Sequence, residues 1–291
     1  MIPGQFDYVR PASLHDALKI LAEREGDAKV LSGGYSLLPL LKLRLAAPAL
    51  LVDIRDIDDL DGIVETDDDL QIGGRATHRR ILEDPIVRAG YPLLIDAASR
   101  IGDPQVRNWG TIGGSCAHAD PSSDWPAVLL ATRATVVCRS ASGERTIPAR
   151  SFFLDTFQTA IEATELLTEV RIPRWGGRCG GAYAKLERRA GDFSTVGCAV
   201  QLRLGSDGRI EDAGVGLTAV AEAPFAAVGA ERVLVGAEPS ETTFRSAGAA
   251  AAAESRPGTD GHGPADYKRA MVEEMLVRAL RSAVERALAR P

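Results

Sequence analysis

The sequence predicts an α+β chain in two parts, on three observations. The first 60 residues alternate amphipathic helix with short apolar strand. Composition then shifts at Arg174-Trp-Gly-Gly-Arg-Cys-Gly-Gly181, which marks a domain boundary. Beyond it strands come first and helices after, the order expected of an antiparallel sheet with helices on one face.

Ser13 caps a helix running to Arg24, with Leu14, Leu18 and Leu21 on one face. Lys29 to Leu31 is a short strand, Ser36 to Lys42 a short helix, and Leu50 to Ile54 a buried strand. Gly62 to Gly73 alternates around Thr66-Asp-Asp-Asp69, a hairpin signal. Helical patterns cover Thr77 to Leu82 and Pro85 to Arg100, and a long structured loop follows. Ala134–Arg139 and Arg145–Ile147 bracket Ala141-Ser-Gly143 as a second hairpin, and the strand Leu166–Ile172 closes at Pro173. The second part reads as strands at Gly181–Arg188, Val196–Leu204 and Arg209–Val220, turning at residues 206–208. Helices follow near Phe225–Val235, Glu241–Glu254 and Pro264–Leu288, with an exposed loop at Arg256–Pro264. Ile72-Gly-Gly-x-x-x-His78 and Ile112-Gly-Gly-x-x-x-His118 echo each other without a third copy, so no solenoid is built.

Composition excludes several functions. A net charge of −6 without any Lys/Arg run argues against a nucleic-acid surface. No apolar run reaches the roughly 18 residues of a membrane span, and Met1 to Tyr8 lacks a signal-peptide pattern. Cys116, Cys138, Cys179 and Cys198 have no CxxC or His partner spacing. They read as reduced thiols of a cytoplasmic protein, and no metal site is expected on this chain.

Two glycine-rich stretches carry the functional signal. Lys29-Val-Leu-Ser-Gly-Gly-Tyr-Ser-Leu-Leu38 turns at Gly33-Gly34 and continues into small hydroxyl residues. Arg107-Asn-Trp-Gly-Thr-Ile-Gly-Gly-Ser-Cys-Ala-His-Ala-Asp-Pro-Ser-Ser-Asp124 does the same at Gly113-Gly114. Such turns expose consecutive amides that cradle an anion, and two of them suggest one dinucleotide gripped from both sides. A strand-to-helix turn needing positive φ is the plain alternative for the first. Neither a Rossmann GxGxxG nor a P-loop is present. The second loop packs Thr111, Ser115, His118, Asp120, Ser122, Ser123 and Asp124 within fourteen residues, and Asp124 suits ribose or ribityl hydroxyls. His118 beside Asp120 lacks further ligands for a metal. No serine elbow or HExxH appears, so no catalytic residue is assigned.

These residues resemble a known family. Residues 32 to 44, Ser-Gly-Gly-Tyr-Ser-Leu-Leu-Pro-Leu-Leu-Lys-Leu-Arg, resemble an AGGxSLLPLxKLR signature, and Asn108 to Asp124 an N-x-GTIGGxxAHADPxxD signature. Both belong to the FAD-binding medium subunit of molybdenum hydroxylases, as in aerobic carbon monoxide dehydrogenase and the flavin domain of xanthine dehydrogenase. Lys185 to Asp192 resembles the start of the family's C-terminal flavoprotein domain, and Asp266-Tyr-Lys-Arg with the last helix its end. The resemblance implies a two-subdomain FAD-binding domain of the vanillyl-alcohol-oxidase (PCMH) type at 1–175, split near residue 58. A small α+β C-terminal domain with an antiparallel sheet and helices would follow at 178–289.

The resemblance also implies the contacts. The FAD pyrophosphate would meet backbone amides of 32–37 and 111–115. Lys29, Val30, Leu31, Ser32, Gly33, Gly34, Tyr35, Ser36 and Leu37 match the first contact loop, and Thr111, Gly114, Ser115 and Asp124 the second. Leu167 falls in a strand approaching the isoalloxazine, and Lys185 matches a lysine at its pyrimidine edge, favouring the reduced ring. Phe193 sits where an aromatic approaches the flavin face. Tyr35 departs from the polar residue usual there. The implied role is electron transfer: substrate oxidation at molybdopterin on a large subunit, passage through two iron–sulfur (2Fe-2S) clusters on a small subunit, then FAD here and an acceptor such as NAD, oxygen or a quinone. A heterotrimer, duplicated into a dimer of heterotrimers, is expected. The alternatives are a self-sufficient FAD oxidoreductase and a cofactor-free docking subunit.

Overall fold

Three short parallel strands open the chain in the computed structural model, which describes residues 2–290. β1 (Asp7–Val9), α1 (Leu14–Glu23), β2 (Ala28–Leu31), α2 (Leu37–Lys42) and β3 (Leu50–Asp53) follow in sequence, and β3 pairs between β1 and β2. Ser13 caps α1 by accepting from the Asp16 amide, and Ala17, Leu18 and Leu21 bury its inner face. Every residue of β3 is buried, as its central place requires. Asp53 is tolerated there because the Tyr8 hydroxyl and Arg55 Nε donate to it at 2.6 and 2.7 Å.

The second unit begins with the hairpin β4 (Ile63–Glu65) and β5 (Asp69–Gly73). Six helices follow: α3 (His78–Glu83), α4 (Pro85–Gly90), α5 (Pro92–Arg100), α6 (Pro104–Trp109), α7 (Ile112–His118) and α8 (Asp124–Thr132). The expected helix over 85–100 is thus two helices. Pro92 cannot donate back into the preceding turn, so the chain restarts there with Tyr91 as cap. The long loop expected at 107–124 is likewise mostly helical. Asp103 caps α6 through the Val106 amide, and Thr111 caps α7 through the Gly114 amide.

Strands β6 (Thr135–Ser140), β7 (Gly143–Pro148), β8 (Phe153–Asp155), β9 (Gln158–Thr159) and β10 (Leu166–Pro173) complete this unit. The five-stranded order is β4-β5-β10-β6-β7, with β8 and β9 a separate ribbon. Strand β10 closes the sheet between two hairpins formed earlier in the chain.

The last unit is the antiparallel sheet β11 (Arg178–Leu186), β12 (Val196–Leu204), β13 (Ile210–Thr218) and β14 (Phe225–Ala226). Helices α9 (Val228–Leu234), α10 (Glu241–Glu254) and α11 (Ala265–Leu288) come after it. Glycines let helices lie directly on the strands. An added Cβ at Gly180 would stand 2.0 Å from the Ala283 carbonyl oxygen of α11. At Gly214 and Gly216 of β13 it would stand 1.9 and 2.0 Å from the carbonyls of Ala131 and Ala127. Helix α8 is therefore pressed between its own unit and this sheet, and all its residues are buried. That contact carries Asp124, at the start of α8, toward β11.

Candidate functional site

The first glycine turn is an open donor array. Gly34 lies at φ +80°, a left-handed conformation that glycine adopts without a steric cost. Among the described residues, the amides of Gly33, Gly34, Tyr35, Ser36 and Leu37 donate to no acceptor within the chain. Ser36, which precedes α2, makes no side-chain capping bond that would consume one. Five successive free donors form an anion-receptive concavity. Tyr35 is 44% exposed and does not fill it.

The second glycine stretch is built differently. The Ile112 amide donates to the Ala76 carbonyl, Gly113 to Gly74, Gly114 to Thr111 Oγ1, and Ser115 to the Thr111 carbonyl. The amides of 112–115, expected to face a pyrophosphate, are spent on α7 and on a neighbouring turn. What this stretch offers is hydroxyls and close packing. Ser32 Oγ and Thr111 Oγ1 lie 3.0 Å apart, and Ser115 Oγ and Ser123 Oγ lie 2.6 Å apart.

The two stretches are locked together by backbone contact. An added Cβ at Gly33 would stand 2.1 Å from the Trp109 carbonyl oxygen and 2.9 Å from Gly110 Cα. At Gly113 it would meet the Gly74 carbonyl oxygen at 2.4 Å, and at Gly74 the Leu167 carbonyl oxygen at 2.4 Å. The two Ile-Gly-Gly echoes thus touch at Gly74 and Gly113. Leu167 of β10 is joined to the second stretch through this stack rather than standing alone. Trp109 is 52% exposed, with the Arg55 guanidinium 5.8 Å above its ring.

Asp124 does not present a free carboxylate to a ligand hydroxyl. The Tyr183 hydroxyl and Ser194 Oγ donate to Oδ1 at 2.5 and 3.0 Å, and Lys185 Nζ to Oδ2 at 3.1 Å. Its side chain is 6% exposed and that of Lys185 only 1%. Burial pushes the Asp124 carboxyl up, while Lys185, Tyr183 and Ser194 pull it down. Lys185 also donates to the Arg100 carbonyl at 3.1 Å and lies 3.5 Å from Glu187 Oε2. Sequence spacing placed Asp124 and Lys185 separately; the fold makes them one buried pair. Tyr183 and Ser194 were missed, because nothing in a β-rich run marks a tyrosine as a carboxylate partner.

Lys29 on β2 stays exposed, as does Phe193, by 54%, in the loop between β11 and β12. His118 and Asp120 do not form a dyad. The imidazole stacks on Phe157 with centroids 4.9 Å apart, and Asp120 accepts from the Ser122 amide. Burial lowers the His118 pKa, with Lys29 adding to the effect and Asp120 opposing it. The buried histidine that matters structurally is His78. Its Nδ1 accepts from Trp125 Nε1 at 3.0 Å, and its ring packs against Gly110. Burial, then the Arg107 charge, lowers its pKa to about 3, so the ring is neutral. The four cysteines are free and buried. Among the described residues no helix is long and apolar enough to cross a membrane.

Comparison with known proteins decides the family. Residues 4–175 match the FAD binding domain in molybdopterin dehydrogenase, and residues 181–283 the CO dehydrogenase flavoprotein C-terminal domain. The chain belongs to the FAD-binding medium subunits of the molybdenum hydroxylase family. It is 42% identical to the carbon monoxide dehydrogenase medium chain of Hydrogenophaga pseudoflava over 283 residues, 97% of this chain and 98% of the relative. It is 36% identical to the 6-hydroxypseudooxynicotine dehydrogenase complex subunit alpha of Paenarthrobacter nicotinovorans over 287 residues, covering 99% and 97%. A solved chain of carbon monoxide dehydrogenase from Hydrogenophaga pseudoflava superposes with a TM-score of 0.95 at 43% identity, covering 98% and 99%. This medium-subunit chain is an oxidoreductase subunit with an FAD-binding domain followed by an α+β flavoprotein C-terminal domain. FAD fits the residues present: the five free amides are donors that would meet a diphosphate, and a second backbone segment closes against them.

Proposed function

We propose that this chain is the electron-transfer subunit of a multi-subunit molybdenum-containing dehydrogenase. Bound FAD supplies the redox chemistry, accepting electrons from iron–sulfur clusters of a small partner subunit and delivering them to an external acceptor. A large molybdopterin subunit carries the substrate pocket, the complex is a dimer of heterotrimers, and it works in the cytoplasm. The observation that carries this reading is the unspent amide run Gly33–Leu37, held against the 109–110 backbone. A purely docking subunit has no need of donors left free beside an immovable wall.

The chain's own contribution is binding and electrostatics. Residues 29–37 hold the diphosphate, with Thr111, Gly114 and Ser115 lining its other side. Leu167 shapes the floor through Gly74, and Phe193 covers the ring from an exposed loop. Lys185 places a positive charge beside the cofactor, neutralised in part by Asp124. Relatives named for carbon monoxide and for 6-hydroxypseudooxynicotine match over nearly the same span. This agrees with substrate selection residing on another subunit.

The visible absorption spectrum of the purified chain, with mass identification of the released ligand, tests the reading. A flavin spectrum with FAD released on denaturation is expected. A colourless chain that also refuses added FAD would overturn it.

A further inference from the structure

Tyr183 and Lys185 lie two apart on β11 and so share one face of the strand. Lys185 pairs across the sheet with Gly197 of β12. An added Cβ at Gly197 would stand 2.4 Å from the Tyr183 hydroxyl oxygen and 2.5 Å from Thr218 Cγ2. The strand therefore leaves vacant the space the phenol needs to reach Asp124. The backbone below is pinned as well, since the Tyr183 amide donates to Asp96 Oδ2, which Arg286 of α11 also grips at 2.6 Å.

A carboxylate this deeply buried keeps its charge only if its lone pairs are met by donors. Lys185 meets one oxygen, and two neutral hydroxyls, Tyr183 and Ser194, meet the other. Hydroxyls suit this task because they add hydrogen bonds without altering the net charge of the pair. The remaining charges nearby are Glu187, 3.5 Å from Lys185 Nζ, and Arg100, which pairs with Glu187 at 3.4 Å.

We propose that Tyr183 is a positioning residue for the cofactor site: its hydroxyl keeps Asp124 ionised and bound to Lys185, and so sets the net charge presented to the flavin. The proposal rests on the FAD reading above. Without this donor Asp124 takes up a proton at higher pH, and the pair changes from neutral to a net positive charge. Positive charge beside the ring favours its reduced form, so the flavin potential rises as the proton binds.

The test is Tyr183→Phe, which keeps the ring volume, read in two independent ways. In the cofactor-free chain, infrared difference spectra follow the protonated-carboxyl stretch of Asp124 against pH, with the Tyr183→Phe, Asp124→Asn double variant as assignment control. The variant's protonation constant is expected to rise about tenfold or more, the scale of losing one hydrogen bond to a charged group. In the FAD-loaded chain, the flavin potential of the variant is expected to exceed that of the parent between the parent's carboxyl midpoint and the variant's higher one, and to match it above and below that window. An unmoved carboxyl band in folded Tyr183→Phe would overturn the proposal. A moved band with an unmoved potential would also overturn it, by separating the pair from the cofactor. Failure of the parent chain to bind FAD would sink the underlying reading instead, a result visible before any variant is made. Should Tyr183→Phe not fold, Ser194→Ala removes the other donor to the same oxygen, and the same two shifts, smaller in size, are expected.

Discussion

Replacing Gly33 with alanine puts a single methyl group where two backbone segments already touch. The new Cβ would stand 2.1 Å from the Trp109 carbonyl oxygen, 2.8 Å from its carbon and 2.9 Å from Gly110 Cα. All three atoms are main chain, so no rotamer relieves the clash. Restoring an ordinary 3.4 Å contact requires the segments to separate by about 1.3 Å. Overpacking on this scale costs about 1–3 kcal/mol. Gly33 lies outside all three hydrophobic clusters, so the chain still folds. The separation also moves the free amides off the position where Ser32 and Thr111 face each other. Losing one or two charge-assisted hydrogen bonds, each worth about 1.5–3 kcal/mol, predicts FAD binding weakened at least about tenfold. Flavin fluorescence titration measures the affinity, and thermal unfolding of the cofactor-free chain measures the strain. Gly62→Ala is the control, because an added Cβ there meets nothing within 4 Å. Gly33→Ala with unaltered FAD affinity and melting temperature would refute the idea that this close approach shapes the site.

Three further outcomes are expected. Lys185→Met leaves buried Asp124 without its cation, costing about 3–5 kcal/mol near neutral pH in denaturant titrations, and it lowers the flavin potential measured by dye equilibration; an unchanged potential returns Lys185 to a structural role. His78 has its pKa lowered by burial to about 3, so the unfolded chain binds a proton that the folded chain refuses between about pH 6.5 and 3. Stability is lost as pH falls through that window, by about 2 kcal/mol between pH 6.5 and 5; His78→Leu should flatten this slope in urea unfolding at pH 7 and 5, and an unflattened slope assigns it to other groups. Arg286→Ala breaks a two-pronged contact with Asp96 and a bond to the Gly181 carbonyl; with both side chains partly exposed the loss is about 1–2 kcal/mol, and amide exchange at Tyr183 should quicken, whereas unchanged exchange would show that this clamp does not hold β11.

Local patterns in the sequence determined the helix capped by Ser13, both hairpins, the strand order in the chain and the helix Glu241–Glu254. Each rests on neighbours within a few residues: a hydroxyl three positions before a free amide, alternating apolar residues, or a turn of small polar ones. The first glycine turn was legible for the same reason, since its free amides and its positive φ are local properties. The second was only half legible. Its helices were hidden by small residues with little apolar period, and two of its amides, those of Ile112 and Gly113, are consumed by Ala76 and Gly74, some forty residues earlier. No spacing rule anticipates that. Tertiary structure alone decided that Gly33 rests on Trp109, that α8 lies on Gly214 and Gly216, and that Asp124 meets Tyr183, Lys185 and Ser194. A charge's fate is set by which partners arrive around it and how much water they displace, and those partners come from distant parts of the chain.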